Sequence, residues 1–252
     1  AGGGASAIND LSDAKTFGTG SIMIGDATTG TINGADHNTG VGVDVFAALT
    51  EGDRNTGMGF GSLLALTTGA NNVGYGKDTL ASITTTHGNT ALGYQCQQNG
   101  AGGGYNTSAG YRAGRELTSG SNNVAIGAYA LDAATSESGQ VAIGYQALTE
   151  SATNGTNTAI GYQAGSGITS GASNIAIGYQ AFDKGTTGYD TIAIGVNCLD
   201  SGSAYTGYYN TFVGNASGRN ITSAINNTAL GKSALATETT GSTNTAIGYS
   251  AL

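Results

Sequence analysis

Asn157-Thr158-Ala159-Ile160-Gly161-Tyr162-Gln163-Ala164 decides the fold, because its glycine returns every seventeen residues along the chain. The series runs Gly25, Gly42, Gly59, Gly76, Gly93, Gly110, Gly127, Gly144, Gly161, Gly178 and Gly195, and after one interval of nineteen it resumes at Gly214, Gly231 and Gly248. Fourteen copies at one strict period specify stacked supersecondary units rather than an ordinary globular core. The functional question therefore concerns a long repetitive surface more than a single pocket.

Numbering positions from this glycine exposes the columns. Position −3 is β-branched in every copy, with eight Thr, three Val and three Ile. Position −1 is apolar throughout, mostly Ile, with Leu92, Leu230, Val41, Val213, Met58, Tyr75 and Ala109 as variants. Residues two apart on a strand share a face, and β-branched side chains suit that face. This reading expects −3 and −1 to point inward from a short strand, with the glycine bending the chain after it.

Position +3 is small, and +4 is a large apolar residue in most copies, as in Leu131, Leu148 and Phe182. Where +4 is Gly114, Gly165 or Gly218, position +7 becomes Leu117, Ile168 or Ile221. The two columns thus compete for one core volume, as close packing requires. Early coils fill both (Phe46 with Leu49, Leu63 with Leu66), which suggests a wider coil there. Position −4 is Asn in eleven copies, a pattern suited to an amide ladder along the stack. Thr, Ser, Gly, Asn and Asp clusters from +5 to +12 read as loops.

Together these columns give an all-β fold: a single-chain parallel β-solenoid, or β-roll, of about fourteen 17-residue coils. Residues 1–20 lack the motif and read as an N-terminal cap or linker, and 21–252 form the repeat shaft. The opening without methionine reads as processed, and the halt at Leu252 directly after a full motif suggests that the natural protein continues.

Position −2 falls on the face opposite −3 and −1, and it carries eight Ala, three Gly, Ser108, Met23 and Phe212, none of them charged. A small uncharged outward column implies a closely packed sister sheet. On this reading Ala125, Ala142, Ala159, Ala176, Ala193, Ala229 and Ala246 face other copies of the chain in a homo-oligomer; the competing reading is that Ala at −2 packs under a loop of its own chain.

Composition narrows the function. The net charge of −8, without a basic run, disfavours nucleic acid, and no apolar stretch reaches the about 18 residues of a membrane span. Forty-five glycines without proline exclude collagen, and no Gly-Gly-x-Gly-x-Asp repeat marks a calcium roll. Cys96 and Cys198 occupy the same column six turns apart, roughly 29 Å at the spacing of stacked strands, so they cannot pair within one chain. His37 and His87 have no cysteine or carboxylate at metal-ligand spacing. Glu150, Asp183 and Asp200 form no recognisable acid pair by spacing alone, so the chain is read as a non-enzyme without cofactor or metal.

Position +1 is Tyr in six copies, including Tyr145, Tyr162 and Tyr179, and the one insertion, Ser201–Tyr209, holds Tyr205, Tyr208 and Tyr209. These six tyrosines are the candidate receptor contacts, since aromatic residues on a rigid scaffold favour recognition. The competing reading of the +1 column is a stacked ladder that stiffens the shaft.

The units Asn123-Val124-Ala125-Ile126-Gly127, Val141-Ala142-Ile143-Gly144-Tyr145-Gln146-Ala147-Leu148 and Asn244-Thr245-Ala246-Ile247-Gly248-Tyr249-Ser250-Ala251-Leu252 resemble two related families. One is the head repeat of trimeric autotransporter adhesins. The other is the repetitive shaft of phage tail fibres, which the Tyr-Gln-Ala-Leu half resembles more closely. The resemblance spans residues 21–252 and implies a left-handed coil and a parallel homotrimer. It further implies an extracellular fibre on a virion that attaches to a host cell-surface glycan or protein and joins other tail proteins, with a bacterial surface adhesin as the alternative. An ice-binding solenoid is less favoured, because its outward Thr rows conflict with the inward reading of −3.

Overall fold

The computed structural model describes residues 14–25, 30–150 and 155–252. Among them there is no helix. Strand β1 (Ala14–Phe17) pairs antiparallel with β2 (Ser21–Ile24), and thirteen three-residue strands follow, from Thr39–Val41 to Thr245–Ile247. All fifteen lie in one sheet in sequence order, and every pairing after the first is parallel and in register. Thr158, Ala159 and Ile160 thus sit directly on Val141, Ala142 and Ile143 and beneath Ile175, Ala176 and Ile177. The result is a β-solenoid of about 13 turns, one fewer than the motif count because fourteen parallel strands bound thirteen intervals. At about 4.8 Å per turn the stack is roughly 60 Å long. β1 covers the edge that β2 would otherwise leave unpaired.

The inward face is the reverse of the expectation. In every strand the residue at −2 is buried, and those at −3 and −1 are half-buried or exposed. Ala125, Ala142, Ala159, Ala176, Ala193, Ala229 and Ala246 are at most 2% exposed within the single chain, so they line its own core and are not free to face a sister chain. The phase is set by position −4. Asn38, Asn55, Asn72, Asn89, Asn106, Asn123, Asn157, Asn174, Asn210 and Asn227 are all buried, and strand alternation puts −4 and −2 on the same side.

The asparagine ladder is formed. The Asn72 backbone N–H donates to Asn55 Oδ1 at 2.9 Å, and its Nδ2 donates to the Thr86 carbonyl at 2.9 Å. Asn72 Oδ1 in turn accepts the Asn89 N–H at 3.0 Å. Each amide therefore ties its own coil to the ones on either side and satisfies groups with no access to water. Gln140 continues the column, whereas Thr191 interrupts it. There the phenol of Tyr205 enters from the insertion and accepts Asn210 Nδ2 at 2.6 Å, with Thr191 Oγ1 3.2 Å away.

The remaining core columns are +4 and +7, as expected, joined by +3; they come from turns, since the described residues hold one strand per coil, and they share volume with −2. A Cβ on Gly114 would lie 2.9 Å from Leu117 Cδ1, and one on Gly165 would lie 3.1 Å from Ile168 Cδ1. A Cβ on Gly185, at +7, would enter the Phe182 ring at +4. Gly218 makes room for Phe212 at −2, since a Cβ there would fall 2.6 Å from that ring. In the early coils the extra space for Phe46 and Val45 is found at Gly40 and Gly57, which keep −2 empty. One packed volume per coil is filled in different ways.

Candidate functional site

With −2 inside, the outward face of the sheet is the pair of columns −3 and −1. Ile24, Leu92, Ile126, Ile160, Leu230 and Ile247 are exposed along it, as is Tyr75, and the rest of the −1 column is half-exposed. A surface of β-branched and aliphatic side chains thus runs the length of the stack. Sequence reasoning placed it in the core because an uncovered apolar strand face has the same residue types as a covered one. The signal that separates them is compensation. Phe212 at −2 is matched by Gly218 at +4, and Gly40 and Gly57 at −2 by the bulk of Val45 and Phe46, as positions that share one core volume require.

Beyond the glycine corner lies the tyrosine column. Tyr145 and Tyr162 stack at 5.2 Å between ring centroids, as do Tyr162 and Tyr179, and Tyr94 stacks on Tyr111 at 5.5 Å. Position +1 of the intervening coil is Ala128, and Tyr129 from +2 fills the gap with edge contacts to Tyr111 and Tyr145. Beside the rings Gln180 donates to Gln163 and Gln163 to Gln146, at 3.0 and 2.9 Å. The stacked rings cover one another's faces and present their edges to solvent. Tyr145, Tyr162 and Tyr179 are thus built as a ladder, poorly suited to receive a sugar face.

The insertion divides its three tyrosines. Tyr205 is fully buried, edge-on to Phe182 at 5.1 Å, so the structure removes it from the candidate receptor contacts. Burial pushes its phenol up to about 12, against the pull of its bonds to Thr191 and Asn210. It is inside because Thr191 leaves a hole in the amide ladder and Gly188 and Gly207 clear the space for its ring. Tyr208 stacks on Tyr189 at 4.8 Å, and Tyr209, exposed, stands edge-on to both. These three rings form a compact aromatic cluster on the loop side of the shaft.

Next to the insertion lies a cleft of about 490 Å³, lined among others by Gln146, Gln163, Ser166, Asp183, Lys184 and Ser203. Ser166 and Gly167 lie on its floor, and Gly202-Ser203-Ala204 of the insertion forms its rim. The Asp183 side chain is nine-tenths buried; its Oδ2 accepts Lys184 Nζ at 3.0 Å, and its Oδ1 has no hydrogen-bond partner among the described residues. Burial raises its carboxyl above the usual range, Lys184 opposes the rise, and Asp200 one coil on adds to it. Asp183 and Asp200, unpaired by spacing alone, thus act on each other through the stack. Asp200 also accepts Asn197 Nδ2 at 3.1 Å.

Cys96 and Cys198 are buried free thiols, each raised to about 12 by burial. His37 and His87 are exposed, and His87 Nδ1 accepts the Ala70 N–H at 2.9 Å. No protein-family model, no curated protein and no solved structure matches the chain.

Proposed function

We propose that this chain is the shaft of a structural and adhesive fibre, in which several copies pack side by side through the −3 and −1 columns. The observation that carries the reading is the outward face of the sheet, where an apolar −1 column runs the length of the stack beside the Thr, Val and Ile of −3. Summed over the stack it is on the order of 1,000 Å², larger than the few-hundred-Å² patch that a monomer ordinarily leaves open and close to the size of a specific interface. Three parallel, left-handed chains, and a place on a virion as a tail-fibre segment attaching to a bacterial surface, rest on the resemblance of the repeat to phage fibre shafts. A trimeric bacterial adhesin is the alternative within the same class.

Sedimentation equilibrium tests the assembly. The wild type is expected at three times the chain mass, and the triple substitution Ile126→Asp, Ile160→Asp, Ile194→Asp is expected to shift it toward monomer with its β-sheet circular dichroism retained. A wild-type chain that stays monomeric at tens of micromolar refutes the reading.

One observation favours a second reading. Thr39, Thr56, Thr90, Thr107, Thr158, Thr211, Thr228 and Thr245 face outward, which removes the earlier objection to ice binding. The neighbouring −1 column still carries bulky Tyr75, Met58 and Leu92 where a flat ice-matching row needs a second small residue. Thermal hysteresis at micromolar protein would favour it over the fibre.

A further inference from the structure

We propose that the cleft beside the insertion binds a neutral saccharide segment, with Asp183, Gln163, Gln146, Ser166 and Ser203 supplying its polar contacts. The inference rests on the attachment role proposed above and names the partner chemistry for it. Three observations converge. The cleft sits where the seventeen-residue period is interrupted, with Gly167 on its floor and residues of the two-residue-longer coil at its rim. Its volume of about 490 Å³ falls within the range of small-ligand sites. Asp183 lines the cleft, and among the described residues its buried Oδ1 has no hydrogen-bond partner, where such a group ordinarily has one.

The lining selects the ligand class. Amides and hydroxyls offer donors and acceptors together, which matches sugar hydroxyls and little else as compactly. Lys184 is already paired with Asp183 at 3.0 Å, and Glu150 also lines the cleft, so the local field opposes a phosphate, sulfate or sialyl group. The apolar residues that would hold a lipid or aromatic ligand are lacking from the lining. A ligand hydroxyl donating to Asp183 Oδ1 after a small side-chain adjustment satisfies the orphaned oxygen. The Gln146–Gln163–Gln180 ladder fixes the amides beside it in one orientation.

Saturation-transfer difference NMR and calorimetry on the assembled fibre test this with neutral tetrasaccharides built from glucose, galactose, mannose and N-acetylglucosamine. A sialic acid tetramer is the anionic comparison. Binding of at least one neutral member is expected, with at least tenfold weakening in both Ser166→Phe and Ser203→Trp, which fill the cleft from its floor and its rim. No binding by any neutral member, preference for the anionic tetramer, or binding undiminished in both filled variants would overturn the proposal. Sedimentation separates the two ideas: a monomeric chain that still binds sugar defeats the fibre and leaves the cleft.

Discussion

A Cβ placed on Gly110 would lie 2.7 Å from both the carbonyl carbon and oxygen of Gly127 in the next coil. The backbone of Gly110 also holds φ at +138°, outside the range of L side chains. Two independent penalties therefore guard this column. Gly110→Ala is expected to destabilise the chain by at least about 2 kcal/mol, read as a shift in the urea unfolding midpoint at unchanged secondary structure before the transition.

The amide ladder has a comparable weight. Asn72→Ala deprives the Asn89 N–H of its acceptor and the Thr86 carbonyl of its donor, both in the dry interior. A loss of about 3 kcal/mol is expected, and native-state hydrogen exchange should show the nearest coils opening first.

The shared core volume makes a directional prediction. Gly165→Leu alone overpacks against Ile168 and Leu148 and is expected to cost about 1–3 kcal/mol. Adding Ile168→Ala recreates the Leu131/Ala134 arrangement and should recover most of the loss. The left-handed backbone at this site is no obstacle, because Leu131 holds φ of 51° and Leu148 of 48° at the same position. Equal instability of the single and double variants would show that the columns are independent.

Alkali should weaken the fold. Folded Cys96, Cys198 and Tyr205 keep their protons to about 12, from ordinary values of 9.0 and 10.0. The unfolded chain releases them earlier, so between these values it binds fewer protons than the native state and stability falls as pH rises from 9 toward 12. Below 9 this contribution is fully present. Native protein should leave a thiol reagent unreacted at pH 8, and two thiols should appear on denaturation.

Asp183 carries the opposite lesson about neutral pH. Its folded carboxyl is raised chiefly by burial, so the native state holds the proton more tightly and this contribution is lost as pH rises through the folded value. Asp183→Asn is therefore expected to raise the melting temperature at pH 7 and to have a smaller effect near pH 3. A lowered melting temperature at pH 7 would show that the Lys184 pair outweighs the burial cost.

Much of this architecture was legible in the residues. The glycine period gave the coil, the exchange between +4 and +7 gave the core volume, and the −4 asparagines gave the ladder. What misled was the strand face. Ile and Thr at −1 and −3 look like core, and Ala at −2 looks too slight to be one. Yet each strand after β2 has three residues and only its middle side chain reaches inward, into a coil so narrow that alanine fills it beside +3 and +4. The buried Asn at −4 fixes the phase, because it and −2 must share a side. Tyr205 was illegible for a different reason. Its burial answers the missing amide at Thr191, a relation between residues fourteen apart on adjacent turns that no local pattern displays. The cleft likewise arises only when Ser166 and Gly167 lie near the insertion in space.

Because every coil binds only its neighbours, and the coils with Asn at −4 and Ala at −2 do so through the same contacts, one turn of that type can follow another. Unequal crossing-over between gene segments that encode whole units would lengthen or shorten the molecule by a fixed step and create no new junction. The protein is in that sense a ruler whose commonest graduations are interchangeable, and its length can be reset without redesigning the interior of those coils.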